Sequence, residues 1–91
     1  MPYIEKKARE QFEREVETLV HKLSWDKVNE PVSVGEVNFV LSSIIWKVWA
    51  TKPSYTLGNN LIGALECVKQ EFYRRQLAPY EDKKIAENGD I

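Results

Sequence analysis

Ser33-Val34-Gly35-Glu36-Val37-Asn38-Phe39-Val40-Leu41-Ser42-Ser43-Ile44-Ile45-Trp46-Lys47-Val48-Trp49-Ala50 is the stretch on which the fold turns. It opens with a hydroxyl followed three residues later by a carboxylate. This is a capping box, in which each side chain satisfies a backbone donor that a helix start leaves orphaned. On the helix that follows, Val37, Val40, Leu41, Ile44, Ile45 and Val48 share one face, while Phe39, Trp46, Trp49 and Ala50 lie mostly on the opposite side. A helix that is apolar nearly all round needs cover nearly all round, and two other helices of one small chain can hardly supply it. The reading is a subunit interface anchored by Phe39, Trp46 and Trp49, with Tyr73 and Leu77 of a later helix flanking. The simpler alternative packs the tryptophans under the connecting loop and the tail.

Upstream, Ile4, Ala8, Phe12, Val16, Leu19, Val20 and Leu23 step by three and four, which predicts a helix over 4–23 with a solvated, charged outer face. Ser24 to Val32 loses that period and contains Asn29-Glu30-Pro31, a connecting loop. Trp25 there is expected to fold back onto the core; a ligand platform is the sharper alternative. Downstream, Thr51-Lys52-Pro53-Ser54 breaks the central helix, because Pro lacks a donor and disfavours helical geometry in the residue before it. A third helix is predicted over about 55–78, with Leu57, Leu61, Ala64, Leu65, Val68 and Phe72 on its main stripe. Pro79 then ends or kinks it. Tyr80 and Ile85 are spaced to anchor a short amphipathic arm over 79–91 that closes in the Asn88-Gly89 turn. The expected architecture is all-α: a three-helix bundle with a short C-terminal helical arm, one helical domain over 1–91, forming a symmetric oligomer.

Composition agrees. The 91 residues fit one domain. Hydrophobic residues at 43% and charged residues at 30% describe a chain that can fold around a packed core. A net charge of -1 lacks the electrostatic footprint of a nonspecific nucleic-acid binder. The single Cys67 cannot form an intrachain disulfide, and with the single His21 it cannot complete a zinc cage, so a reducing compartment fits best. No apolar run follows the charged start, so neither a signal peptide nor an anchor is expected. The longest apolar stretch, Val37 to Ala50, is interrupted by Asn38, two serines and Lys47, and falls short of the roughly 20 residues a spanning helix needs.

Few residues suggest chemistry. Asn60, Gly63, Cys67 and Arg74 recur at three, four and seven, which places small and polar groups along one side of the third helix. Close approach of another backbone is the plainer explanation. The alternative is a nucleotide-like ligand held by Asn38, Asn60, Arg74 and Arg75 between helices or subunits, with aromatic rings as stacking surfaces. Near the expected helix end, Glu71 can pair with Arg75, and the helix dipole there favours the two arginines while repelling an anion. A magnesium-dependent nucleotide hydrolase ranks third. Small all-α pyrophosphohydrolases hold magnesium through Glu-x-x-Glu and Glu-x-x-Asp pairs, and this chain offers Glu10-x-x-Glu13 and Glu87-x-x-Asp90, the second of which straddles Asn88-Gly89. There is no Gly-rich phosphate loop, and Cys67 reads as a structural thiol. No catalytic residue, metal ligand or cofactor is assigned.

Leu65-Glu66-Cys67-Val68-Lys69-Gln70-Glu71-Phe72-Tyr73-Arg74-Arg75, then Ala78-Pro79-Tyr80-Glu81-Asp82-Lys83-Lys84-Ile85 and Glu87-Asn88-Gly89-Asp90-Ile91, together with Val37-Asn38-Phe39-Val40, resembles a family of small uncharacterised proteins encoded by bacteria and bacteriophages. The resemblance implies a small cytoplasmic protein of viral or mobile-element origin and brings no catalytic assignment. The leading expectation is therefore a noncatalytic interaction protein that acts as a homo-oligomer, with no membrane segment.

Overall fold

The computed structural model describes residues 3–25 and 30–91, except for the side chain of Trp25. The protein is all-α, with three main helices and no strand among the described residues. It divides into two units, Met1–Lys52 and Pro53–Ile91. The expectations for Trp25 and for the middle of the connecting loop fall outside the described part.

In the N-terminal unit, α1 spans Lys6–Val20 and runs on into a π-helical turn at His21–Trp25. Its start has no side-chain cap; the Glu5 carbonyl accepts from the Ala8 and Arg9 amides at 3.0 and 3.2 Å. Arg9 Nε adds a bond to the Ile4 carbonyl at 3.0 Å, which ties the entering strand of chain to the first turn. The second helix, α2, spans Val34–Thr51. Ser33 caps it as its spacing to Glu36 suggests: the hydroxyl oxygen accepts from the Glu36 amide at 3.2 Å. At the other end the Lys52 amide donates to Trp49 at 3.2 Å, just ahead of Pro53.

The C-terminal unit departs from expectation in an informative way. α3 spans Tyr55–Phe72, a π-helical turn occupies Tyr73–Leu77, and α4 spans Ala78–Asn88. Leu77 and Ala78 keep right-handed helical dihedrals, so the helical backbone is continuous from Tyr55 to Asn88. Pro79 therefore does not end the helix. It stands in the first turn of α4, where a missing N–H costs least, and the wide turn before it changes the bonding register: the Ala78 amide donates five residues back, to Tyr73. The run stops at Gly89, whose φ of 88° and ψ of 153° suit glycine almost alone, with its amide on the Ile85 carbonyl at 2.8 Å.

No described residue is fully buried. The least exposed apolar positions are Ala8, Leu19, Leu23, Val37, Val40, Ile45, Leu57, Leu61 and Ala78, and all but Ala78 lie on the aliphatic stripes read from the sequence. Tyr80 and Ile85, expected to anchor the arm, remain about half exposed.

Candidate functional site

The feature that stands out from the two units is aromatic exposure. On α2, Phe39 is 72% and Trp46 74% exposed, against 42% for Trp49. On the aliphatic face Val37, Val40 and Ile45 are only partly exposed, while Leu41, Ile44 and Val48 are about as exposed as Trp49. Phe39 and Trp46 thus stand apart as bare rings from an aliphatic side that is about half covered. That separation follows from its sequence: aromatics at 39, 46 and 49 recur at seven and three, whereas the branched aliphatics fill the positions between. Only two ionisable side chains, Glu36 and Lys47, lie within α2. In the C-terminal unit, Tyr73 and Leu77 stand on the π-turn at 52% and 39% exposure.

The polar candidates are less convergent. Asn38 lies on α2, where its Oδ1 accepts from the Ser42 hydroxyl at 3.4 Å. Asn60 and Arg74 share a side of the C-terminal helix, but fourteen residues at 1.5 Å each separate them by about 21 Å. Arg74 and Arg75 do not sit at a helix end, since the helix continues to Asn88; the dipole argument for cations there is corrected accordingly. Both guanidinium groups turn to Glu71. Arg74 Nη2 donates to its two carboxylate oxygens at 3.2 and 3.0 Å, and Arg75 Nη1 approaches Oε2 at 3.7 Å. The expected Glu71–Arg75 pair is present but shared. A shallow, solvent-open concavity beside them is lined by Lys69, Gln70, Glu71, Tyr73 and Arg74.

Two ionisable groups of this unit depart from ordinary behaviour. Hydrogen bonds from Gln70 and Lys69, reinforced by the lysine's charge, hold the Glu66 carboxyl below its usual range. The Tyr73 phenol is pushed up, first by a hydrogen bond with Glu81, then by the negative charges of Glu81 and Asp82. Sequence reading missed this link, because in a regular α-helix residues eight apart stand about 80° from one another. The π-turn takes in one extra residue and so brings Glu81 round to Tyr73.

Among the described residues no group of three or more His, Cys, Asp or Glu could hold a metal ion. The Glu87-x-x-Asp90 pair straddles the end of α4, with Asp90 beyond Gly89 and its Oδ1 accepting from the Ile91 amide at 2.7 Å. Cys67 is a free, exposed thiol. The close backbone expected at Gly63 is not there: a methyl group at that position would meet nothing within 4 Å. Among the described residues no helix is long and apolar enough to cross a membrane.

No curated protein and no solved structure matches the chain. One family model does, over residues 1–91, and by that match the chain belongs to the family described as a domain of unknown function, DUF6899.

Proposed function

We propose that this protein is a noncatalytic helical interaction protein that works as a homo-oligomer in the cytoplasm, with the aromatic face of α2 as its principal contact. The observation that carries the reading is the exposure of Phe39 and Trp46, two large rings at 72% and 74% on a helix with only two ionisable side chains. Fully burying a large apolar side chain contributes roughly 1.5–3 kcal/mol, so the four such rings of a pair would contribute about 6–12 kcal/mol. Association itself costs on the order of 4–15 kcal/mol. The rings alone therefore about break even, and Trp49 and the aliphatic flanks supply the surplus. Tyr73 and Leu77 form a second, smaller apolar contact on the C-terminal unit. An origin in a phage or mobile element rests on the resemblance of the C-terminal half.

Sedimentation mass at micromolar concentration tests the reading, with Trp46→Glu as the comparison. An oligomeric parent and a monomeric variant support it. A monomeric parent ends it.

A phosphorylated small molecule at Arg74 and Arg75 is less well supported, because such a ligand would have to displace the Glu71 carboxylate from both arginines, and Asn60 stands about 21 Å away along the helix. A thermal-shift series with nucleotides and Mg²⁺ separates this reading, and the magnesium-dependent hydrolase, from the first. A ligand at about 100 times its dissociation constant adds about 2.7 kcal/mol to stability.

A further inference from the structure

Read outward from the Ser42/Ser43 junction, the residues of α2 mirror one another in class. Ser42 answers Ser43, Phe39 answers Trp46, and Gly35 answers Ala50; the branched aliphatic positions between them answer one another too. Glu36 opposite Trp49 and Val34 opposite Thr51 are the exceptions, and Asn38 and Lys47 answer one another only in being polar. Such a helix is self-complementary when it meets its own copy running the other way, which is what a two-fold interface demands of a surface. We infer that α2 pairs with α2 of a second copy in antiparallel fashion, about a two-fold axis between Ser42 and Ser43, so that Phe39 of each protomer meets Trp46 of the other. The inference rests on the proposed self-association and adds its partner, stoichiometry and direction.

Three observations favour this occupant. The first is charge. At 100° per residue Glu36 and Lys47, the two ionisable side chains of α2, lie on the same flank of the Phe39–Trp46 seam, about 20° apart. A two-fold axis between antiparallel helices keeps each flank on its own side, so Glu36 of one copy falls about 3 Å along the axis from Lys47 of the other. A parallel two-fold pair would instead carry this flank of each copy to the opposite side of the seam, leaving Glu36 and Lys47 of one copy without the opposite charge of the other. The second is shape. Gly35, Ser42, Ser43 and Ala50 put small side chains between the rings, and on the second flank Trp49 of one copy falls over Gly35 of the other. Ser42 enters this contact with its hydroxyl already donating to Asn38, so burying it strands no donor.

The third is area. Large aromatic side chains carry about 150–250 Å² each. Scaled by the exposures of Phe39, Trp46 and Trp49, the three rings of both copies offer on the order of 800 Å². With the aliphatic flanks added, the pair comes near the roughly 1,200 Å² at which specific interfaces begin.

The test combines mass with directed cross-linking in the full-length chain carrying Cys67→Ser. Gly35→Cys and Ala50→Cys are made separately; a side chain at Gly35 meets only the Ser33 hydroxyl, at an ordinary 3.7 Å. A short bis-maleimide linker is then added to each variant alone and to their equimolar mixture. Positions 35 and 50 lie about 22 Å apart along one helix, beyond the linker's reach. A dimeric mass with cross-linked product in the mixture and none from either variant alone is the expected result. Self-linking of either single variant, the absence of linked product from a dimer, or a mass above the dimer overturns the antiparallel pair while leaving self-association standing. A monomer overturns both.

Discussion

Tyr73 and Glu81, eight residues apart in sequence, meet on one side of a continuous helix because the π-turn at Tyr73–Leu77 absorbs a residue between them. The phenol donates to the carboxylate, and the negative charges of Glu81 and Asp82 disfavour its ionisation. Tyr73 should therefore titrate above the ordinary tyrosine value near 10, and Glu81→Gln should bring it back toward that value. The sign for stability follows. A raised acid pKa in the folded protein contributes stability that is fully present below the unfolded pKa and is lost as pH rises through the folded one. Tyrosinate absorbance of the parent, compared with Tyr73→Phe and Glu81→Gln, checks both. A phenol titrating at or below the usual value in the parent would contradict the link.

Glu66 gives the opposite sign at the acid end. Its carboxylate accepts from Gln70 Nε2 at 3.1 Å and pairs with Lys69 at 3.2 Å, which lowers its pKa below 4.5. A depressed carboxyl pKa contributes stability present above the unfolded value and lost as pH falls through the folded one. Helicity followed by circular dichroism from pH 6 downward should thus fall below about pH 4.5 in the parent, with a smaller fall in Glu66→Gln. Equal acid transitions in the two proteins would remove Glu66 from the account.

Which of these features could be read beforehand depends on the range of the forces involved. The start of α2 was legible because Ser33 and Glu36 are a three-residue signal with a single physical meaning. Ser54 caps α3 in the same way, accepting from the Leu57 amide at 3.0 Å, yet it has no acidic residue three positions on and so carries no such signature. That Phe39 and Trp46 lie off the aliphatic stripe of α2 was legible from period alone. The π-turn was not: nothing in Tyr73-Arg74-Arg75-Gln76-Leu77 marks a widened turn, and Pro79 reads as a stop or a kink unless the register change before it is known. The expected end of the third helix, and the helix-end argument for Arg74 and Arg75, fell with that one turn.

Gly63 offers a stability gain. It lies inside α3 with open space where a methyl group would go, so its absent side chain serves no contact within the chain. Gly63→Ala should raise stability by about 0.5–1 kcal/mol, through the lower backbone entropy lost on folding. Thermal unfolding measures it. A loss instead of a gain would mean that another molecule packs closely against this position.

Phe39 should behave as an anchor of association. If the α2 face holds copies together, each ring removed from its centre should cost about 2 kcal/mol, and Phe39→Ala removes one from each copy, so the dissociation constant of a pair should rise on the order of 1,000-fold. Phe39→Ala, followed by sedimentation over a dilution series, reads this directly. Val34→Ala at the edge of the same helix, where the side chain is largely exposed, should change the constant by less than about threefold. Equal effects at the two positions would show that the rings are not the centre of the contact.

Deleting Gln76 isolates what the π-turn does. Removal of one residue from a turn closed by bonds five apart lets the run from Tyr55 to Asn88 continue as ordinary α-helix, with bonds four apart. The Glu81 carboxylate then moves to seven residues from Tyr73, about 20° from alignment, so the pair survives if the turn closes to α and is lost if the extra residue is kept. Helicity should hold and the raised Tyr73 titration should persist. Replacing Pro79 by Ala in the same deletion restores the donor that Pro79 lacks, and the double variant should be the more stable of the two, because the amide at that position can now join the helical ladder. Thermal unfolding and tyrosinate absorbance of both variants settle the point: helicity that collapses on deletion, and is not recovered with Pro79→Ala, would show that the wide turn is required by something other than the proline.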